Sequence, residues 1–294
     1  MKFAVSYSTP YHGVDPDTIV AYARHAEDCG FEALYLPEHI ALYPGAAVGR
    51  FEFPPSLPYF DPLDCLSFVA AATRRILLGT GVLLLPYHHP VVLAKRLATI
   101  DVLSKGRMRL LTVGLGTLPG EARATGVDFG TRGRRADEAI DVMRLLWAGG
   151  EEGVDFDGEF FSFDKLCQFP KPYGVTHLPI HVGGSSRAAA RRAGRRGDGY
   201  FPGGALAPDE RALQMDLARA AAAAEAGRSP ETLEYTRSGA IDMTAEQVEA
   251  FAAQGVTRIV VSATATEPER QREEMSAFAQ RFALLDTTEA GART

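Results

Sequence analysis

Four short stretches gather residue types that do chemistry. "PEH" sets Glu38 beside His39, and "YHHP" sets Tyr87, His88 and His89 between two prolines. "VGLGTLPGE", Val113 to Glu121, is built on Gly114, Gly116 and Gly120, and "HVGGSSR" runs from His181 to Arg187. An imidazole titrates near neutrality, so His39 suits proton transfer to or from a bound ligand, and it suits capping or packing in a loop equally. His88 and His89 have the same chemistry in a weaker setting. In the last stretch, Gly183 and Gly184 end a strand and Ser185 or Ser186 can cap a following helix. Backbone N–H groups at such a start, with no side chains in the way, bind an anion such as phosphate. The same residues also describe a capped junction that binds nothing.

Other chemistries find less support. Gly114 and Gly116 begin a G-x-G, but the third glycine is displaced to Gly120 and Pro119 is expected to break the helix that a dinucleotide fingerprint requires. No G-x-S-x-G elbow supplies a serine nucleophile. No histidine or carboxylate pair has the helical spacing of metal ligands, and Cys29, Cys65 and Cys167 are far apart. No metal is expected, and the thiols read as reduced and structural. Arg132, Arg134 and Arg135 open a helix against its dipole, with Asp137 and Glu138 to offset them. They read as a solvated charged turn, with an anion contact as the other use.

The elements that must position these residues alternate in type. Strands are expected near Phe3–Ser6, Ala33–Leu36, Leu77–Leu85, Arg109–Val113, Ile180–Val182, Gly199–Pro202, Leu233–Thr236 and Arg258–Ser262. Helices are expected near Pro16–Cys29, Leu63–Arg74, Val91–Leu103, Arg134–Trp147, Arg187–Arg195, Pro208–Ala226, Ala245–Gln254 and Pro268–Phe282. Such alternation implies a parallel sheet with right-handed crossovers. Strands apolar on both faces, such as "RIVVS", suit a sheet covered on both sides. Eight strand–helix pairs close an α/β barrel, the (β/α)8 TIM barrel, in a single domain of residues 1–294. A doubly wound sheet would need a sharper break in composition. Two segments interrupt the repeat as insertions on the C-terminal face: the Pro- and aromatic-rich loop 40–62 and a β-hairpin within 153–178, marked by "DFDGEFFSF". Their aromatics are expected to form a lid. In such a barrel the strand ends carry the chemistry, and all four stretches fall there.

The chain has 294 residues, 46% hydrophobic and 23% charged, with a net charge of −6. That composition supports one large core and argues against a nucleic-acid partner. The N-terminus is too short for a secretory segment and no apolar run approaches a membrane span, so no membrane association and a cytoplasmic location are expected.

Taken together, "LYLPEHI", "TRRILLGTGVLLLPYHHP", "RGRRADEAIDVMRLLW", "DFDGEFFSF" and "LPIHVGGSS" resemble the bacterial luciferase-like superfamily. Within it they resemble the oxidoreductases that use coenzyme F420, a 5-deazaflavin. The resemblance runs from residue 2 to about 204. It implies a TIM barrel, usually a homodimer, that moves a hydride between the deazaflavin and a small-molecule substrate. It implies a bulge and a cis peptide at Gly81–Val82 behind the flavin ring, with Gly81 keeping that space clear. It places Glu38 and His39 beside the cofactor, His39 as the catalytic proton donor. It makes Gly116 and Gly120 backbone contacts to the cofactor, and Gly183, Gly184, Ser185, Ser186 and Arg187 its phosphate-binding turn. Thr117 stands where the superfamily's sugar-phosphate dehydrogenases carry a catalytic glutamate, which argues against sugar-phosphate oxidation. The alternatives are an FMN-dependent monooxygenase with a reductase partner, and a non-catalytic flavin-binding barrel.

Overall fold

The computed structural model describes residues 1–204, 206–225 and 227–285. Its strands are β1 (Lys2–Ser6), β2 (Ala33–Leu36), β3 (Ala47–Val48), β4 (Phe51–Glu52), β5 (Leu77–Leu84), β6 (Met108–Gly114), β7 (Val154–Asp157), β8 (Ser162–Leu166), β9 (Ile180–Gly183), β10 (Gly199–Phe201), β11 (Glu234–Ala240) and β12 (Arg258–Ser262). The helices are α1 (Thr9–His12), α2 (Pro16–Asp28), α3 (Pro62–Ala72), α4 (Pro90–Leu103), α5 (Pro119–Ala124), α6 (Arg132–Ala148), α7 (Arg187–Arg196), α8 (Pro208–Ala223), α9 (Ala245–Ala253) and α10 (Pro268–Arg281). Eight parallel strands close a barrel in the order β1-β12-β11-β10-β9-β6-β5-β2, so the expected TIM barrel is the architecture observed.

Alternation along each strand sorts side chains into two cores. Phe3, Val5, Leu34, Leu36, Leu78, Leu111, Val113, Ile180, Val182, Ile259 and Val261 face the helices. Ala4, Ala33, Tyr35, Leu110, Phe201 and Val260 fill the barrel itself. Below them, at the N-terminal end, Arg258 is held between two carboxylates: its Nε donates to Glu32 at 2.6 Å and its Nη1 to Glu234 at 2.6 Å. Above them, the same alternation turns Ser6, Gly81, Gly114, Gly183, Ser238 and Ser262 inward at the C-terminal end. The top layer of the barrel is therefore lined by small residues.

Several helix starts are fixed by side-chain caps. Asp15 accepts from Thr18 N at the head of α2, Asp61 from Leu63 N and Asp64 N at α3, and Ser186 from Ala189 N at α7. Some local expectations need correcting. Pro119 does not break a helix; it opens one, α5, because the first helical position needs no N–H. Leu85 leaves the strand for a 3-10 turn, Leu85–Tyr87. Loop 40–62 contains the small antiparallel pair β3–β4. The β7–β8 hairpin forms as expected, but its aromatics do not all serve as a lid. Its tip binds the side of α6, where Glu138 accepts from Glu159 N and Phe160 N, and the following segment runs along α4 through Gln168 and Tyr173.

Candidate active site

Two buried carboxylates organise the C-terminal mouth, and each holds one histidine. Glu38 follows β2 directly. Its Oε2 accepts from Leu84 N at 2.6 Å, and its two oxygens accept from His88 Nε2 at 3.0 and 3.1 Å. Glu38 thereby ties the end of β2 to the end of β5. Glu121 sits on the first turn of α5 and is fully buried. Its Oε1 accepts from Ile40 N at 2.6 Å and Ala41 N at 3.3 Å, and its Oε2 faces His39 Nδ1 at 3.3 Å. A carboxylate only accepts, so the hydrogen on that side belongs to Nδ1. Nε2 of His39 is left without a protein partner among the described residues. The His39 ring lies edge-on to Phe53 (4.8 to 5.0 Å covers both neighbours) and Tyr59, so loop 40–62 does cover this histidine.

The pairing differs from what adjacency suggests. Glu38 does not partner His39; it partners His88. A residue pair next to each other at a strand end points in different directions, and barrel closure decides which distant group each one meets. His88 is thus part of the mouth, whereas His89 turns outward onto Phe161 of the hairpin at 5.4 Å. Glu121 was visible only as the end of a glycine-rich stretch. The signal that finds it is the proline at the first helical position, which predicts a new helix whose first turn suits an acid.

The peptide Gly81–Val82 is cis, and the β5–β6 register shifts between Gly81 and Leu83. The expected bulge is present, and within the protein Gly81 itself is not crowded. A Cβ at Gly81 would meet only the Tyr35 ring, at 3.4 Å or more. The crowded glycines are Gly114 and Gly183, whose Cβ atoms would each come within 2.6 Å of a Val82 methyl group. The bulge directs Val82 over the top of the barrel, and its neighbours on β6 and β9 must be glycine to receive it. Gly116 and Gly120 also answer to packing: a Cβ at Gly116, where φ is +75°, would overlap the Tyr87 hydroxyl, and one at Gly120 would overlap the Tyr43 ring. Gly120 N donates to the Tyr43 hydroxyl at 3.1 Å, so that backbone N–H is already engaged.

The Gly183–Arg187 turn joins β9 to α7. Gly184 has a φ of +108°, a conformation that favours glycine. Ser186 caps α7, and the Ser185 hydroxyl donates to the Gly203 carbonyl. The turn is braced from α8 and β10: Gln214 Nε2 of α8 donates to Ser185 O at 2.8 Å, and the Tyr200 hydroxyl of β10 to Gly184 O at 3.0 Å. Arg187 is engaged by Glu210 through Nε at 3.1 Å and Nη2 at 3.0 Å. These bonds with Arg187 and Gln214 hold the Glu210 carboxyl down at about 2. Of the charged cluster on α6, Arg134 pairs with Glu159, and Arg135 donates to Pro86 O and stacks on Phe161. Neither is a free anion contact.

Among the described residues no helix is long and apolar enough to cross a membrane. Comparison with known proteins gives a consistent picture. The family described as luciferase-like monooxygenase matches residues 1–292. An F420-dependent hydroxymycolic acid dehydrogenase of Mycobacterium tuberculosis is 35% identical over 221 residues, covering 74% of this chain and 56% of that protein. Among solved structures, an F420-dependent secondary alcohol dehydrogenase in complex with an F420–acetone adduct superposes with a TM-score of 0.78 at 19% identity, over 97% of this chain and 99% of that one. A monooxygenase from Streptomyces bottropensis superposes with a TM-score of 0.76 at 23% identity, over 96% and 98%. At these identities the two structures establish the shared fold.

Proposed function

The chain belongs to the luciferase-like monooxygenase family, whose relatives are oxidoreductases, and from that premise we propose that it moves a hydride between coenzyme F420 and a small organic substrate. The observation that carries the reading is the mouth itself: small-residue strand ends around Val82, beside a histidine whose Nδ1 one buried carboxylate holds. When bound, the deazaflavin supplies a ring carbon that accepts or donates the hydride. Val82 would back the ring, with Gly114 and Gly183 giving Val82 its place. Gly184, Ser185 and Ser186 would bring backbone N–H groups to its phosphate at the head of α7.

His39 would carry the accompanying proton at Nε2. Glu121 fixes Nδ1 as the hydrogen-bearing nitrogen of the neutral ring, so Nε2 is the atom able to take a proton from a substrate hydroxyl or return it. The Phe53 and Tyr59 rings would exclude water from that exchange. Two features favour the deazaflavin over FMN: the 35% identity to an F420-dependent dehydrogenase and the carboxylate-held histidine, which suits proton-coupled hydride transfer. The FMN monooxygenase remains the second reading, supported by the family's description. The test is to mix the protein with oxidised deazaflavin and a panel of small alcohols, or reduced deazaflavin and ketones, and follow the cofactor's absorbance. Turnover with the deazaflavin is expected. Consumption of oxygen with reduced FMN, and no turnover with the deazaflavin, would overturn the reading.

A further inference from the structure

This inference rests on the reading above and concerns the substrate. The first turn of α6 docks on the Leu85–Tyr87 turn, with Arg135 Nε donating to Pro86 O at 3.1 Å. Arg132, three residues earlier on the same helix, is near enough for its charge to act on the Tyr87 hydroxyl. The Tyr87 hydroxyl is buried, pressed against Gly116, and has no hydrogen-bond partner among the described residues. Arg132 lies 3.6 Å over the Phe129 ring and donates to the Phe129 carbonyl. No carboxylate pairs with it among the described residues. On the same helix Arg134 pairs with Glu159 and Arg144 with Asp198, while Arg135 donates to Pro86 O. The acid nearest the mouth on this side, Glu121, has both oxygens committed to Ile40, Ala41 and His39.

A cation without a carboxylate partner therefore lies within electrostatic reach of a buried hydroxyl without a partner. Loop 40–62 supplies apolar surface, with Phe53 and Tyr59 edge-on to His39 and with Ile40 and Phe51 exposed. We propose that Tyr87 and Arg132 form an oxyanion subsite that takes the carboxylate of an organic acid, whose apolar body lies against the aromatics of loop 40–62. The guanidinium offers a planar fork matched to a carboxylate, and the phenol adds one donor. Burial, with the Glu121 charge, pushes the Tyr87 hydroxyl up to about 12 against the pull of Arg132, so it stays a donor at working pH.

The test compares 3-phenylpropionate with its neutral isostere, 3-phenylpropionamide, by titration calorimetry on apoprotein and on deazaflavin-loaded protein. The acid is expected to bind at least about tenfold more tightly, ~1.4 kcal/mol. Arg132→Gln should abolish that preference while leaving deazaflavin affinity unchanged, Arg132→Lys should retain part of it, and Tyr87→Phe should reduce it. Equal binding of acid and amide overturns the proposal, as does a preference that survives Arg132→Gln. So does an Arg132→Gln variant that loses deazaflavin affinity instead, since the subsite would then serve the cofactor. Should Arg132→Gln fail to fold, Tyr87→Phe and Arg132→Lys still decide the matter. Failure of the deazaflavin to bind would count against the proposed function, and the apoprotein comparison would remain readable on its own.

Discussion

Glu121 serves two masters at once: one oxygen anchors the backbone at Ile40 and Ala41, and the other holds His39. The two roles separate by substitution. Glu121→Gln keeps the shape but offers an amide where the carboxylate accepted, so the His39 tautomer is no longer fixed. Turnover should fall by on the order of 10- to 100-fold, the scale seen when a partner that orients a working histidine is removed. His39→Asn, which cannot titrate, should cost ~10²- to 10⁴-fold. Deazaflavin affinity and melting temperature of His39→Asn should stay near wild type; normal turnover in that variant would refute the proton-transfer role. Glu121→Ala should in addition destabilise by about 1–3 kcal/mol, because two buried N–H groups lose their acceptor. The glycines make a second residue-scale contrast. Gly114→Ala meets a Val82 methyl at 2.6 Å and should destabilise by ~1–3 kcal/mol, while Gly81→Ala meets only ordinary contacts and should cost less. Denaturant titration of both variants checks this, and a Gly81→Ala variant less stable than Gly114→Ala would contradict it.

At the scale of elements, the β9–α7 turn combines free backbone N–H groups at a helix start with a restrained cation. Its N–H groups sit at a capped helix start, yet Arg187, the nearest cation, is held by Glu210 of α8. Glu210 is ionised throughout the working range, so it also places a negative charge beside the turn. Glu210→Gln should release Arg187 and tighten binding of a phosphate-bearing cofactor by roughly threefold, the modest scale of an exposed charge pair. Fluorescence titration measures it, and weaker binding in Glu210→Gln would show that Arg187 needs its brace more than its freedom. The turn itself was legible in "GGSSR" because capping and glycine placement are local. So were the strands and long helices, since strands apolar on both faces and helices with polar outer faces announce themselves within ten residues. What was not legible is what needs closure: Glu121 meets His39 across 82 residues, and Glu38 meets His88 across 50. The packing of Gly116 against Tyr87 and of Gly120 against Tyr43 was likewise not legible, because those rings arrive from other loops.

For the whole molecule, the buried ionic layer at the N-terminal end sets the response to acid. Burial holds His181 neutral, its pKa lowered to about 4 despite Glu234 at 3.4 Å. Burial works against the Glu234 carboxylate, but Arg258 and Lys2 outweigh it and hold it down at about 2. In both cases the unfolded chain binds a proton more readily than the folded one, so stability falls as pH drops. The His181 contribution is lost between about 6.5 and 4, and that of Glu234 between about 4.5 and 2. Melting temperature should therefore begin to decline below about pH 6.5, and His181→Gln should flatten the curve between about 6.5 and 4. An unchanged profile in that variant would assign the decline to other groups. The central claim, that the small-residue mouth at the other end of the barrel receives a deazaflavin, is tested most directly by titrating the protein with coenzyme F420 and with FMN under identical conditions. The deazaflavin is expected to bind at least about tenfold more tightly, a difference of ~1.4 kcal/mol. FMN binding as tightly as the deazaflavin, or more so, would contradict it.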